Sequence, residues 1–304
     1  MATHVISRRI QYIIQYIYDT HFPSKNNMIE ILRDNDFLIS PRTFDRDLER
    51  IRADFGLVIL YDKQKDGYYI HKDKSVKVAS FFKFLEIVTV ADIFSASLKD
   101  SSKILDYVSF DDSKSFKGVH NLKSILIAIS LNQQIRFVHE NYANKTLKDY
   151  IISPLLLKEY ENRWYVIGIP DETNEIRTFG LDRITNIILG ETTSIRKTDY
   201  KQQLAIFNSI IGLDYENSKP IEIRLRVNEL HINYMRSLPI HHSQVIHDTK
   251  NENGQHFVDF FLVPNYEFKS QVLKMGVEAV VISPKALKDE IKGMLMDTIK
   301  QYSQ

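Results

Sequence analysis

Three arginines repeat at helical spacing in the first quarter of the chain. Arg42, Arg46 and Arg50 occupy positions i, i+4 and i+8, so an α-helix would bring them onto one face. A guanidinium group can bind a guanine edge through two hydrogen bonds, or it can clamp a phosphate. The spacing therefore predicts a helix that contacts DNA through these arginines, with Thr43 beside them.

An alternative use of the same arginines stays open. Asp45, Asp47 and Glu49 lie on the same predicted helix, and acids at such spacings can pair with the arginines within the helix. Residues 1–73 carry as many acidic as basic side chains, so this part of the chain is not basic overall. On this alternative, the segment is a protein-interaction module that does not bind DNA.

A second pair of arginines lies further along, at Arg177 and Arg183. Strand alternation predicts that both share a face with Phe179, and arginines are not buried unpaired beside apolar side chains. Either Asp182 and Glu175 neutralise them, or they edge a pocket that takes an anion. The spacing slightly favours the first interpretation, and the second stays open.

Three predicted helices contain or precede the first arginine row. Apolar residues at helical spacing indicate helices within residues 6–17 and 24–34. The arginine helix has a strong start signal, because Ser40 can act as N-cap and Pro41 suits the first helical position. Gly56 is placed to end it.

A hairpin is predicted directly after the arginine helix. Apolar strands at residues 57–61 and 67–70 are joined by a polar turn that contains Lys63 and Lys65. Three helices and a hairpin in this order are typical of a winged helix-turn-helix, in which the third helix enters the major groove of DNA. We therefore add the two turn lysines to the predicted DNA contacts.

The stretch from residue 150 to residue 190 predicts a meander of antiparallel strands. Three apolar runs are separated by polar turns at 159–162, at 170–174 and around Asp182. Trp164 and Tyr165 are neighbours on the middle strand, so they face opposite sides of the sheet. One ring can fill the core while the other lines a surface pocket.

Three motifs in this meander resemble the WYL domain of bacterial regulators. They are Ser153-Pro154-Leu155, Trp164-Tyr165-Val166 and Arg177-Thr178-Phe179-Gly180-Leu181-Asp182-Arg183-Ile184. Val166 stands where the family usually has Leu. Gly180 stands where the family usually has Arg, which removes one cation from the ligand pocket that the resemblance implies.

The resemblance implies an Sm-like β-barrel for the meander and DNA contact for the arginine helix. It also implies a pocket for a nucleotide or single-stranded nucleic acid, and a homodimer bound to operator DNA. On this basis the predicted ligand-binding residues are His139, Ser153, Tyr165, Arg177 and Arg183.

The last third of the chain alternates strands and helices in the order βαββαβ, followed by a final helix. This order predicts a small antiparallel sheet with helices on one face, an α/β sandwich. Its position resembles the WCX extension, which helps dimerisation in WYL regulators. We predict an α+β multidomain fold with a winged helix-turn-helix domain at 1–73, a helical connector at 74–117, a WYL domain at 118–209 and a WCX extension at 210–304.

Composition narrows the classes of function. The chain has no cysteine and a formal net charge of +1, so thiol chemistry is excluded and DNA contact must come from local patches. No hydrolase, phosphate-loop or metalloprotease motif is present, and His241, His242 and His247 lack the spacing of a zinc site. We expect a cytoplasmic regulator without cofactor, metal, membrane contact or catalytic residues. The alternatives are an interaction scaffold and, third, a nucleic-acid-processing enzyme.

Overall fold

The computed structural model of the chain divides into two compact units, Met1–Asp111 and Asp112–Gln304. The residues that the structure describes are 2–71, 74–75, 81–83, 87, 117–142, 144–215, 219–251 and 254–303. The apolar helix predicted at residues 79–97 lies for the most part outside them. Among the described residues, no helix is long and apolar enough to cross a membrane.

Within the first unit, residues 2–70 form three helices and a hairpin in the predicted order. The helices are α1 (Ala2–Thr20), α2 (Lys25–Asp34) and α3 (Pro41–Phe55). The antiparallel strands β1 (Ile59–Asp62) and β2 (Gly67–Ile70) follow. The apolar face of each helix points into one core, where Ile13, Met28, Phe44 and Ile51 are among the fully buried side chains.

Local capping signals fix where the helices of this unit begin and end. The hydroxyls of Ser24 and Ser40 accept hydrogen bonds from backbone N–H groups in the first turns of α2 and α3. Gly56 follows α3 in the left-handed conformation, with φ of 65°. A residue without Cβ adopts this conformation at little cost, so the helix ends there as predicted.

The second unit begins with a helix packed on a five-stranded antiparallel sheet. The helix is α4 (Leu122–Leu131), and the strands are β3 (Gln133–Asn141), β4 (Thr146–Tyr160), β5 (Arg163–Pro170), β6 (Arg177–Gly180) and β7 (Ile184–Thr192). A short 3₁₀ helix at Leu181–Arg183 separates β6 from β7. The core between α4 and the sheet includes Ile125, Phe137 and Val166.

The sheet is open, whereas the resemblance implied a closed barrel. Its strand order is β6-β5-β4-β3-β7, and within the described residues no ladder joins the edge strands β6 and β7. Pro154 lies inside β4, next to an irregularity in the pairing of β4 with β5. A proline has no N–H to donate, which accounts for the interruption of the ladder at this point.

A short helix, α5 (Lys201–Ala205), leads into a second sheet with helices on one face. This domain consists of β8 (Ile221–Val227), α6 (Glu229–Ser237), β9 (Val245–Lys250), β10 (His256–Leu262), α7 (Tyr266–Lys274), β11 (Ala279–Ser283) and α8 (Lys285–Tyr302). The strand order is β11-β8-β10-β9. The βαββαβ order and the one-sided helices agree with the prediction.

Alternate residues of these strands face opposite sides of the second sheet. Leu225, Val258 and Phe260 are buried against the helices. Arg224 and Phe261 point to the other face, and the Phe261 side chain is 56% exposed. One face of the sheet therefore carries the helices and the other is open.

Candidate functional site

The arginine row on α3 is exposed. Arg42, Arg46 and Arg50 all lie on the solvent side of the helix, while Phe44 and Ile51 anchor its opposite face in the core. None of the three arginines makes an ion pair within the described part of the chain. The row is therefore available to an external partner.

Two of the acids that could have neutralised the row are held by other cations. Both Asp47 oxygens accept hydrogen bonds from Arg9 of α1, from Nε at 2.7 Å and from Nη2 at 2.9 Å. Asp45 pairs with Lys25 of α2, at 2.6 Å between Nζ and Oδ1. These pairs leave Glu49 as an exposed acid beside the arginines for which the described residues supply no ion pair.

The start of α3 forms one wall of a surface cavity of about 390 Å³. Arg42, Arg46 and Thr43 line it, together with Ser40, Asp45 and Glu49. The Thr43 backbone N–H donates to Ser40 Oγ, and the two hydroxyl oxygens lie 3.0 Å apart. The cavity thus combines guanidinium donors with hydroxyl groups at a helix N-terminus, a combination that favours an anionic group.

The two lysines of the hairpin turn differ in their surroundings. Asp62 Oδ1 accepts the backbone N–H groups of Gln64 and Lys65, which fixes the turn. Lys63 is exposed. The Nζ of Lys65 lies 3.9 Å from the centre of the Phe22 ring, so its ammonium group already has a favourable contact.

A cavity of about 530 Å³ opens beside the first sheet and contains two of the predicted ligand residues, His139 and Arg177. Thr178 also lines it, and Thr178 Oγ1 and His139 Nε2 are buried without a hydrogen-bond partner among the described residues. Buried polar atoms usually have partners. The cavity is thus lined by two residues with unmet hydrogen-bonding capacity.

The same cavity holds a lysine that the sequence analysis missed. Lys148 donates to Glu172 at 2.7 Å and lies 4.8 Å from the centre of the Tyr150 ring. The hydrogen bond to Glu172 raises the pKa of Lys148, so the ammonium group stays charged. Burial lowers the pKa of His139, and the charge of Arg183 lowers it further, so this imidazole is predominantly neutral at pH 7.

Strand alternation could have revealed the missed residues. Thr146, Lys148 and Tyr150 alternate along β4 and all line this cavity. They lie opposite Asn141, His139 and Phe137 of β3. Lys148 is the cross-strand neighbour of His139 in the pairing of β3 with β4. Local sequence does not fix this pairing register, so the choice of His139 did not by itself predict Lys148.

A second cavity, of about 1020 Å³, lies between the first sheet and α7. Tyr165 lines it although its side chain is mostly buried, and burial raises the pKa of this phenol. Trp164 packs partly against the sheet core and also reaches the cavity. The wall from the last domain includes Tyr266 and Lys274.

The structure separates the five predicted ligand residues. His139 and Arg177 share the smaller cavity, and Tyr165 lines the larger one. Ser153 is buried and donates to Thr193 at 3.0 Å. Arg183 stacks beside Tyr142, with 5.1 Å from its guanidinium carbon to the ring centre.

The parity argument for Arg177 and Arg183 was wrong, because the 3₁₀ helix at Leu181–Arg183 interrupts strand alternation between them. Asp182 lies near Arg183, at 3.8 Å between Oδ1 and Nε, as the neutralising interpretation required. Arg177 is exposed, and no ion pair to Glu175 occurs. The neutralising interpretation therefore describes Arg183, whereas Arg177 lines the smaller cavity.

Gly180 occupies a position where a side chain would meet other groups. Its φ of −69° is ordinary for any residue, so backbone freedom does not explain the glycine. A Cβ at this position would lie 2.5 Å from Asp182 Oδ1 and 2.9 Å from Arg183 Nη2. The missing side chain makes room for the folded-back Arg183 head group.

The described residues contain no cluster of histidine and acidic side chains that could hold a metal ion. His241 and His242 instead direct their Nε2 atoms at the carbonyl oxygen of Asn208, at 3.0 and 2.6 Å. His247 pairs with Asp259 at 2.7 Å. All three histidines therefore have protein partners.

Comparison with known families identifies two domains. Residues 120–189 match the WYL domain and residues 219–298 match the WCX domain. No curated protein matches the chain.

Two solved structures show weak similarity. One is proteasome accessory factor B/C (PafBC) of Arthrobacter aurescens, with 16% identity and a TM-score of 0.32 over 93% of this chain and 45% of that one. The other is a CRISPR Cas-related protein, with 12% identity and a TM-score of 0.39 over 61% of this chain and 53% of that one. The chain thus spans about half the length of either protein.

Proposed function

We propose that this chain, which carries a WYL domain and a WCX domain, is a transcription regulator that binds duplex DNA and responds to a small anionic ligand. The first unit is its winged helix-turn-helix, with α3 as the recognition helix and the β1–β2 turn as the wing. Its action is binding rather than catalysis. The chain acts as a homodimer, so that two α3 helices reach successive major grooves about one DNA turn, or a multiple, apart.

The DNA proposal rests on one observation, which is that two acids of α3 form ion pairs with residues of other helices. Asp47 and Asp45 are paired with Arg9 and Lys25, so they do not cancel the charge of the arginine row. Three exposed, unpaired guanidinium groups along one face suit a DNA-binding helix, because most contacts to a duplex go to phosphates.

The ligand site is the smaller cavity of the WYL domain. Arg177 and Lys148 supply positive charge at its wall, while Thr178 Oγ1 and His139 Nε2 supply unmet hydrogen-bonding capacity. Charged donors with neutral polar groups suit a phosphate joined to a base, as in a nucleotide. Binding alters DNA affinity by favouring one geometry of the dimer.

The DNA proposal is tested by fluorescence anisotropy with a labelled duplex from the region upstream of the gene. The logarithm of the affinity should fall linearly with the logarithm of salt concentration, by about 0.9 for each phosphate contacted. Replacing Arg42, Arg46 and Arg50 by alanine should weaken binding at least tenfold. It should also flatten the salt slope by up to about 2.7 per protomer.

Arg52→Ala is the matched control for this experiment. Arg52 is exposed on the same helix but lies off the arginine row, so its loss should leave the affinity nearly unchanged. If the triple variant binds as tightly as the parent, α3 is not the DNA interface. The interaction-scaffold function would then be favoured. Sedimentation of the full chain tests the dimer separately.

The ligand proposal is tested with adenosine monophosphate and with a short single-stranded oligonucleotide as probes. Arg177→Ala combined with Lys148→Ala should abolish any effect of these probes on DNA affinity while leaving affinity without probe intact, because these two side chains supply the positive charge of the cavity. Circular dichroism should show that the double variant remains folded. Arg183→Ala is the control, since Arg183 lies outside this cavity beside Tyr142, and an equal loss of the response in Arg183→Ala would contradict the assignment of the site.

A further inference from the structure

The open face of the C-terminal sheet has aromatic and cationic side chains that the proposed regulator mechanism does not use. Phe257 and Phe261 point outward from β10, four residues apart. Arg224 and Arg226 point outward from the neighbouring strand β8. The helices α6, α7 and α8 all pack on the other face, so nothing within the described part of this domain covers these groups.

The arrangement of this sheet matches a known mode of nucleic-acid recognition. The RNA recognition motif is a four-stranded sheet that binds single strands by stacking two or three bases on aromatic rings of the sheet. Here the two phenylalanine side chains lie about 14 Å apart along the strand, from a rise of about 3.4 Å per residue. The guanidinium carbon of Arg224 lies 5.7 Å from the centre of the Phe257 ring.

The charges on this face are arranged unevenly. Asp259 is held by Arg224 at 2.7 Å and by His247 at 2.7 Å, so its carboxylate is already neutralised. Arg226 lies opposite Phe257 and has no ion-pair partner among the described residues. Glu222 lies at the other end of the strand, opposite Phe261. A phosphate is therefore favoured beside Arg226 and Phe257.

We infer that this open sheet face binds single-stranded nucleic acid, with bases stacked on Phe257 and Phe261 and a phosphate held by Arg226. A second protein surface fits the face less well. It would have to cover Glu222, and glutamate is depleted from protein interfaces. An unpaired strand instead leaves Glu222 in water and gives Arg226 an anion. This site is separate from both WYL cavities and from α3.

The test uses the full chain with Arg42, Arg46 and Arg50 replaced by alanine, so that α3 does not contribute. Fluorescein-labelled dT10 and U10 are titrated by fluorescence anisotropy. Failure of both oligomers to bind overturns the site. Because the proposed WYL site also takes a single strand, binding supports the sheet site only when substitutions on the sheet weaken it. Because a stacked base contributes roughly tenfold in affinity, Phe257→Leu with Phe261→Leu should weaken binding by at least tenfold.

Leucine is chosen because it keeps an apolar side chain but removes the flat ring. A surface that only required apolar contact would tolerate the change, so undiminished binding by the double leucine variant would overturn the stacking site. Tyr234→Leu, at an exposed position on α6, is the matched control and should bind like the parent. Arg226→Gln should flatten the salt slope by about 0.7, the value for one phosphate of a single strand.

Photocrosslinking locates the bound strand directly and guards against a folding defect in the variants. An oligomer that carries 5-iodouracil is irradiated with the same arginine-row variant, and the adducts are mapped by mass spectrometry. Adducts on β8 and β10, at or beside Phe257 and Phe261, are the expected result. Adducts confined to the WYL cavities would place the strand elsewhere and overturn the inference.

Discussion

The carboxylate of Asp47 lies inside the first unit, with a relative exposure of only 1%, where it pairs with Arg9. Removing one member of a buried pair leaves the other charge without compensation. Asp45 belongs to a pair of similar length, but both of its members are substantially exposed. The two acids of α3 therefore contribute differently to the stability of the first unit.

We predict that Asp47→Ala lowers the free energy of unfolding by about 3–5 kcal/mol, the usual cost of breaking a buried ion pair. Asp45→Ala should cost about 0–1 kcal/mol, because exposed pairs contribute little. Urea denaturation of the full chain, followed by circular dichroism, measures both. Equal effects of the two substitutions would contradict the assignment of Asp47 as the structural acid.

Gly180 controls the position of Arg183, and Arg183 in turn affects His139. The positive charge of Arg183 contributes to the lowered pKa of His139, second to burial. A Cβ at position 180 would displace the ends of the Asp182 and Arg183 side chains. Both are flexible, so the displacement should cost little stability.

We therefore predict that Gly180→Ala raises the pKa of His139 part of the way back toward 6.5, with only a small change in melting temperature. NMR titration of the imidazole proton measures this pKa. Gly190→Ala serves as control, because Gly190 approaches Gln134 and not Arg183. An unchanged His139 pKa in Gly180→Ala would show that Arg183 does not depend on the space at Gly180.

At the scale of elements, the hairpin has no room for a side chain at its glycine, whereas the last helix has room for one. Gly67 begins β2, where a Cβ would overlap the backbone carbonyl of Phe22, and the next N–H, from Tyr68, donates to Pro23 at 2.9 Å. The hairpin thus lies directly on the loop between α1 and α2. Gly293 lies inside α8, and a Cβ there would meet nothing within 4 Å.

Gly293→Ala should stabilise the protein by about 0.5–1 kcal/mol, because alanine loses less backbone freedom than glycine on entering a helix. Gly67→Ala should destabilise it by about 1–3 kcal/mol or more, because the backbone of Phe22 would have to move. Thermal melts of the two variants beside the parent test the opposite signs. A stabilising Gly67→Ala would mean that the hairpin does not pack on Phe22 as described.

At the scale of the molecule, the WYL sheet and the C-terminal domain share one core in the second unit. Leu155 and Ile167 of the first sheet pack in one cluster with Phe207 of the connecting segment and Val263 after β10. Nearby, buried His241 directs Nε2 at the carbonyl of Asn208, and its Nδ1 lies 2.8 Å from Ser243 Oγ. The Ser243 N–H also donates to this Nδ1, so the imidazole is neutral with its proton on Nε2.

Protonating His241 would place the second proton of the ring on Nδ1, the nitrogen that accepts a hydrogen bond from the Ser243 N–H. Burial and the neighbouring His242 lower the pKa of His241 to about 4, against 6.5 for a free side chain. Between pH 6.5 and pH 4, His241 is therefore protonated in the unfolded chain but largely neutral in the folded chain. The contribution to stability is complete above pH 6.5 and is lost progressively as pH falls toward 4.

We predict that the melting temperature falls less steeply between pH 6.5 and pH 4.5 in His241→Gln than in the parent. Glutamine can still donate to Asn208 but does not titrate. The lowered pKa of His139 acts in the same direction, so the comparison is the difference between the two proteins rather than the parent curve alone. Parallel curves for parent and variant would refute the role of His241.

The sequence by itself determined the helix ends, the hairpin, the meander and the βαββαβ order, and it identified the WYL and WCX domains. These depend on signals carried within a few residues, such as a serine before a helix or a period of two along a strand. Tertiary structure alone decided that Asp47 belongs to Arg9, 38 positions away, rather than to the arginine row. It also decided that Tyr165 and Arg177 line different cavities. The β5–β6 register places Arg177 opposite Gly168 and Tyr165 opposite Gly180, and local periodicity does not determine that register.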